Sequence, residues 1–177
     1  MSTPIEVLIT LPFSEDHLNQ LRGVSPRLKI ASLQARKPED IPAEIWARVE
    51  VLYTHRVLPT AEQAPRLRWI QFHWAGVDHI LDSPLLGNPN LVMTTLSGAV
   101  ASKAAEHAIM MLLALGHRLP DMFAAQKKGE WARELRERFA PQELRASTVG
   151  IVGYGSIGRQ IARLLSEFGA VVLATKR

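Results

Sequence analysis

The sequence predicts an α/β chain built on parallel sheet and divided into two parts. Three observations carry this. Short apolar runs alternate with helical patterns between residues 6 and 95. A long, almost wholly apolar segment follows at 99–115. Residues 147–177 then read as a strand, a glycine-rich turn, a helix and a second strand.

In chain order, residues 6–11 form the first expected strand, ended by Pro12. Ser14 is suited to cap a helix through His17, Leu18 and Leu21 that stops at Gly23. A second strand is expected at 28–33 and a helix at 42–49 around Ile45 and Trp46. Further strands are expected at 51–54, 69–72 and 91–95. Strands separated by helices favour a parallel sheet covered on both faces. Residues 99–115 are interrupted only by Ser102, Lys103, Glu106 and His107, which predicts a helix buried on every side, running between two domains. Residues 116–144 are charged and amphipathic, with Trp131 and Phe139 as apolar anchors. Arg133, Glu134, Arg136, Glu137 and Arg138 look like a solvated face. The boundary falls near residues 97–102, giving domains 1–98 and 99–177.

Residues 149–152 are long enough for a buried strand, and Gly153-Tyr154-Gly155-Ser156-Ile157-Gly158 completes a GxGxxG. A helix is expected at 159–168, with Ile161, Leu164, Leu165 and Phe168 on one face and Gly169 as its stop. The second strand is expected at 170–174. The three glycines serve different ends. Gly153 allows the tight turn, Gly155 the close approach of a pyrophosphate, and Gly158 the packing of helix on strand. The free amides and dipole of the helix start favour phosphate. The six residues 153–158 are therefore expected to bind a dinucleotide. An NAD site calls for an acidic residue about 20 positions beyond the glycines. Thr175, Lys176 and Arg177 stand there instead, and two cations would welcome a 2′-phosphate, so NADP is favoured over NAD.

The chain has 177 residues, 47% hydrophobic and 21% charged, the balance of a soluble globular protein. It has no cysteine, which excludes a disulfide framework and a thiolate metal site; no metal is expected. Net charge is +4, and Arg159, Arg163, Lys176 and Arg177 outnumber Glu167 within residues 147–177. The excess thus lies near the phosphate-binding glycines, and with no long block of like charge, nucleic-acid binding is not expected. No basic leader precedes an apolar core and no apolar run reaches ~18 residues, so neither secretion nor a membrane span is expected. The expected compartment is the cytoplasm.

Residues 72–79 follow an expected strand and precede a short helix, and ligands in open α/β sheets collect at carboxyl strand ends. Backbone amides around Gly76 are candidates to hold a carboxylate. Four motifs then occur in order: AGVDHI at 75–80, TTLSGAVASKAAEHAIMMLLAL at 94–115, GEW at 129–131 and LRASTVGIVGYGSIG at 144–158. Together they resemble the NAD(P)-dependent D-2-hydroxyacid dehydrogenases, the group that includes phosphoglycerate dehydrogenase and glyoxylate/hydroxypyruvate reductase.

The resemblance implies a flavodoxin-like substrate domain followed by the first βαβ unit of a Rossmann domain. It implies hydride transfer between NAD(P)H and a small 2-keto or 2-hydroxy acid. The backbone of Ala75, Gly76 and Val77 would contact the substrate carboxylate, and helices within 99–145 would build a homodimer. Arg56, next to His55 at a strand end, is a further substrate-binding candidate. The family's catalytic Arg, Glu and His lie downstream of this unit. None of His17, His55, His73, His79, His107 and His117 matches the catalytic His, and His107 is read as a helix-packing or capping residue. No catalytic residue is therefore assigned within these 177. Half a Rossmann sheet would leave an open edge, so a fragment or truncated chain, inactive by itself, is expected. The alternative is a regulatory protein of the corepressor kind on the same fold.

Overall fold

The computed structural model describes residues 3–130 and 137–176. Trp131, Arg133, Glu134, Arg136 and Arg177 lie outside the described residues. The chain forms two compact units, Met1–Ser97 and Gly98–Arg177.

The first unit is a five-stranded sheet of β1 (Ile5–Ile9), β2 (Leu28–Ser32), β3 (Val51–Thr54), β4 (Trp69–Phe72) and β5 (Val92–Thr94). The strand order is β2-β1-β3-β4-β5 and every pairing is parallel. Register places Leu8 beside Leu52, Leu52 beside Ile70 and Ile70 beside Met93. That row is the centre of the core: Leu8, Leu52 and Ile70 are each 0% exposed. Burying such a side chain contributes roughly 1.5–3 kcal/mol. Trp46, Phe72 and Val49 close the same cluster.

Helix α1 (Glu15–Val24) starts as its sequence indicates, with the Ser14 hydroxyl accepting from the His17 amide. Helix α2 is shorter than its pattern, covering only Ala43–Trp46 rather than 42–49. The reason is local: the Arg48 amide already bonds back three residues to the Ile45 carbonyl, tightening the chain before it enters β3.

The second unit contains α3 (Ala101–Gly116), α4 (Leu119–Lys128), β6 (Thr148–Val152), α5 (Ser156–Glu167) and β7 (Val171–Thr175). Strands β6 and β7 pair in parallel, with Val149 beside Val172 and Ile151 beside Ala174. Ile109 of α3, Ile151 of β6 and Leu165 of α5 form its core. The opposite sheet face, with Val152, Val171 and Leu173, is exposed.

Helix α3 corrects the expectation of burial on every side. Only Ala101, Ala105 and Ile109 are buried, a single stripe at four-residue spacing, while Met110, Met111 and Leu115 are exposed. Ser102, Lys103, Glu106 and His107 mark one exposed face of the first two turns, while the wholly apolar residues that follow have no phase of their own. The packing partner, α5, selects which stripe is covered. Beyond it, α4 is entered through Arg118 in the left-handed region (φ 55°) and closed at Gly129 (φ 66°), whose conformation favours glycine. Phe139 is half-buried, and Glu137 and Arg138 are exposed. Among the described residues no single helix is long and apolar enough to cross a membrane.

The end of β3 is fixed by a buried hydroxyl pair. Thr10 Oγ1 donates to Thr54 Oγ1 at 2.7 Å, and Thr54 Oγ1 also accepts from the Val57 amide at 3.1 Å. Both threonines are at most 1% exposed. Thr54→Val keeps the shape but strands the Val57 amide and leaves the Thr10 hydroxyl only the Tyr53 carbonyl, at 3.4 Å. It is expected to destabilise the first unit by about 1–3 kcal/mol, read from the urea midpoint.

Candidate functional site

The glycine turn lies between β6 and α5. Gly153 has φ +96°, a conformation that side chains rarely adopt, and its amide continues the β6–β7 ladder by donating to the Thr175 carbonyl at 3.1 Å. Gly155 is the N-cap residue of α5, and a Cβ added there meets nothing within 4 Å. The backbone is therefore open to an incoming group. Gly158 is the opposite case. It is buried, and an added Cβ would run into the Gly153 carbonyl oxygen and lie 3.3 Å from Ile151 Cγ2.

Helix α5 begins earlier than its apolar pattern suggests, at Ser156 rather than 159, because the turn enters the helix directly from Gly155. The Arg159 amide makes the first helical bond, to the Gly155 carbonyl at 3.0 Å. No side chain caps this end. The preceding amides keep the free donors and positive dipole end that suit a phosphate. A pyrophosphate fits these residues: one glycine is open for approach, one turns the chain, and one lets the helix sit close. The Arg159 guanidinium donates to the Tyr154 carbonyl at 3.3 Å, tying the turn to the first helical turn. Thr175 ends β7 and Lys176 follows it, both exposed, at the same sheet end as Gly153. Lys176 makes no ion pair among the described residues.

The first unit carries a second cluster at the carboxyl ends of its strands. The His73 amide donates to the Thr54 carbonyl at 2.8 Å, extending the β3–β4 ladder. Ala75 and Gly76 are exposed, and Val77 packs partly against the core. The amides of residues 75–77 bond to no group among the described residues. A one-turn 3-10 helix, Asp78–Ile80, follows. His79 Nε2 donates to the His55 carbonyl at 3.0 Å, which ties the loop to residues 55–56. Arg56, the residue after His55, is exposed.

Sequence reading missed Tyr53. Its hydroxyl is 2.7 Å from His73 Nδ1, and burial raises its phenol above the usual 10.0. A tyrosine within an apolar strand carries no local signal of a partner twenty residues away. Rings of Phe13, Tyr53, His73, Trp74 and His55 then follow one another at centroid spacings of 5.1 to 5.7 Å. His107 corrects its expectation: it is exposed in the middle of α3, neither packed nor capping. The described residues hold no group of three or more ligands fit for a metal.

Residues 109–177 match the family described as D-isomer specific 2-hydroxyacid dehydrogenase, NAD binding domain. The chain is thus similar to this family over its C-terminal part, residues 109–177. It is 27% identical to D-3-phosphoglycerate dehydrogenase of Archaeoglobus fulgidus over 173 residues, 96% of this chain and 32% of that protein. A family protein from Aeromonas salmonicida is 26% identical with a TM-score of 0.72, over 97% of this chain and 53% of that one. D-lactate dehydrogenase from Aquifex aeolicus, solved with NAD and lactic acid, is 25% identical with a TM-score of 0.65, over 97% and 52%. The chain thus spans about a third of the curated relative's length and about half of each solved chain. The second unit carries the strand, glycine turn, helix and strand of a Rossmann-type NAD-binding domain.

Two outcomes test this geometry. In Gly158→Ala, overpacking against the Gly153 backbone costs about 1–3 kcal/mol, against a helix-propensity gain of at most about 1 kcal/mol. A lower thermal midpoint is expected, whereas Gly155→Ala leaves it nearly unchanged. The second concerns acid. His55 has its pKa lowered from 6.5 by burial first, then by Arg56, His79 and His73. The folded unit favours the neutral ring, so this contribution is complete above pH 6.5 and is lost as pH falls through the depressed value. Below pH 6.5 the denaturation midpoint of His55→Gln should fall less steeply with acid than that of the parent.

Proposed function

We propose that the chain is part of an NAD(P)-dependent D-2-hydroxyacid dehydrogenase. Residues 1–98 are read as its flavodoxin-like substrate domain and residues 99–177 as the start of its dinucleotide-binding Rossmann domain. The strand order β2-β1-β3-β4-β5 supports the first assignment. The observation that carries the whole reading is the glycine turn, with Gly155 open to a ligand and Gly158 closed by backbone.

A bound nicotinamide dinucleotide would supply a hydride from its C4 to C2 of a small 2-keto acid, such as glyoxylate, hydroxypyruvate or pyruvate. The chain's own residues bind and orient. Gly153, Tyr154, Gly155, Ser156, Ile157 and Gly158 hold the pyrophosphate on the first-turn amides of α5. The free amides of Ala75, Gly76 and Val77 take the substrate carboxylate, and Arg56 adds a positive charge beside them. By the family resemblance, the Arg, Glu and His that bind the carbonyl and deliver the proton stand beyond Arg177. The 177 residues alone are accordingly read as inactive. Exposed Met110, Met111, Leu115, Met122 and Phe123 support a homodimer through α3 and α4. The proposed setting is the cytoplasm, as for a metabolic dehydrogenase.

NADP is proposed as the preferred cofactor, on Thr175, Lys176 and Arg177. An acidic residue would repel a 2′-phosphate; Lys176, exposed and without an ion pair among the described residues, attracts one. A charge-assisted bond of about 1.5–3 kcal/mol would give roughly ten- to hundredfold preference, reduced by screening at an exposed site. The test measures keto-acid reduction by the whole protein with NADPH and NADH, then in Lys176→Asp. NADPH should be preferred and the substitution should erase or invert the preference. NADH preference in the parent defeats the NADP assignment, and no turnover with any 2-keto acid defeats the dehydrogenase reading.

A further inference from the structure

We propose that the ring-lined shelf of His55, His73 and Trp74 is a side-chain subsite that selects 2-hydroxy and 2-keto acids with an aromatic group. The inference rests on the reading of residues 75–77 as the carboxylate loop. Trp74 immediately precedes that loop, and consecutive Cα atoms are about 3.8 Å apart. A substituent on C2 of an acid held there is within one side chain's reach of the indole.

Trp74 is 53% exposed. A lone exposed ring requires no function, but this one is held from two sides. His55 lies 5.3 Å and His73 5.6 Å from it, centroid to centroid. Each neighbour is anchored in turn. The Tyr53 hydroxyl and the Thr54 carbonyl fix His73, and the His55 carbonyl is bound by His79. Phe13 meets Tyr53 edge-on at 5.1 Å and stiffens the far end. The shelf is therefore assembled before a ligand arrives, which lowers the ordering cost of binding.

Its chemistry favours one class of substituent. Anchored rings offer faces and edges to another ring, and such pairs add binding beyond area burial. An aliphatic substituent gains less, and a second carboxylate would have to rely on exposed Arg56. His55 adds little to that charge, because its surroundings favour the neutral imidazole.

The test titrates the 15N-labelled 177-residue chain with D-phenyllactate, D-lactate and D-malate, following the Gly76 amide and the Trp74 indole N–H. All three acids should move Gly76. Only D-phenyllactate should move the indole, and it should bind about three- to tenfold more tightly than D-lactate. Trp74→Ala, a change at an exposed position, should remove that difference while Gly76 still responds. Trp74→Phe should retain most of it. Equal affinity for phenyllactate and lactate, or tightest binding of malate, with Gly76 responding, overturns the shelf and leaves the carboxylate loop standing. No Gly76 response to any acid overturns both.

Discussion

The close approach of α5 to the end of β6 governs the second unit. With a hydrogen in place of a side chain at Gly158, the helix can rest on the Gly153 carbonyl, and its first turn then points at the open backbone of Gly155. Much else follows from that contact. Leu165 reaches the core beside Ile151 and Ile109, the α3 stripe at Ala101, Ala105 and Ile109 is selected for burial, and β7 is brought into register alongside β6. A side chain at Gly158 would push the helix away and move the uncapped amides of its first turn. The packing of the helix and the placing of its free amides are thus one constraint here.

The first unit solves a different problem. Its sheet must present loops at the carboxyl strand ends without leaving backbone groups unpaired. The Thr10–Thr54 hydroxyl pair, buried where β1 and β3 end, also serves the Val57 amide, and the Thr54 carbonyl takes the His73 amide. These bonds let the strand ends diverge into loops at low cost. The amides of residues 75–77 are left without a partner among the described residues, and Arg56 is exposed. Each unit thus leaves backbone amides without an internal partner at the carboxyl end of its sheet: the helix start after Gly155 in one, and residues 75–77 in the other.

How much of this was legible in the sequence varied with the range of the forces involved. The bounds of β3 and β4 follow directly from apolar runs at 51–54 and 69–72. The strand–turn–helix–strand unit follows from glycine spacing and helical periodicity, which act within a few residues. The Ser14 cap is local in the same way. The family's motifs could likewise be read in order along the chain, and residues 109–177 match it.

Tertiary packing decided the rest. Sequence could not say that the apolar second half of α3 is left exposed at Met110, Met111 and Leu115, because apolar residues on every side carry no orientation until α5 supplies a partner. It could not say that α2 stops at Trp46, since the strand that follows sets where the chain must turn. Nor could it join Tyr53, His55, His73, Trp74 and His79, whose rings meet only because parallel strands β3 and β4 end side by side. Residue types and short spacings fixed which local structures form and where the glycine turn falls. Only the parallel register, a long-range choice, decided which distant side chains share one surface.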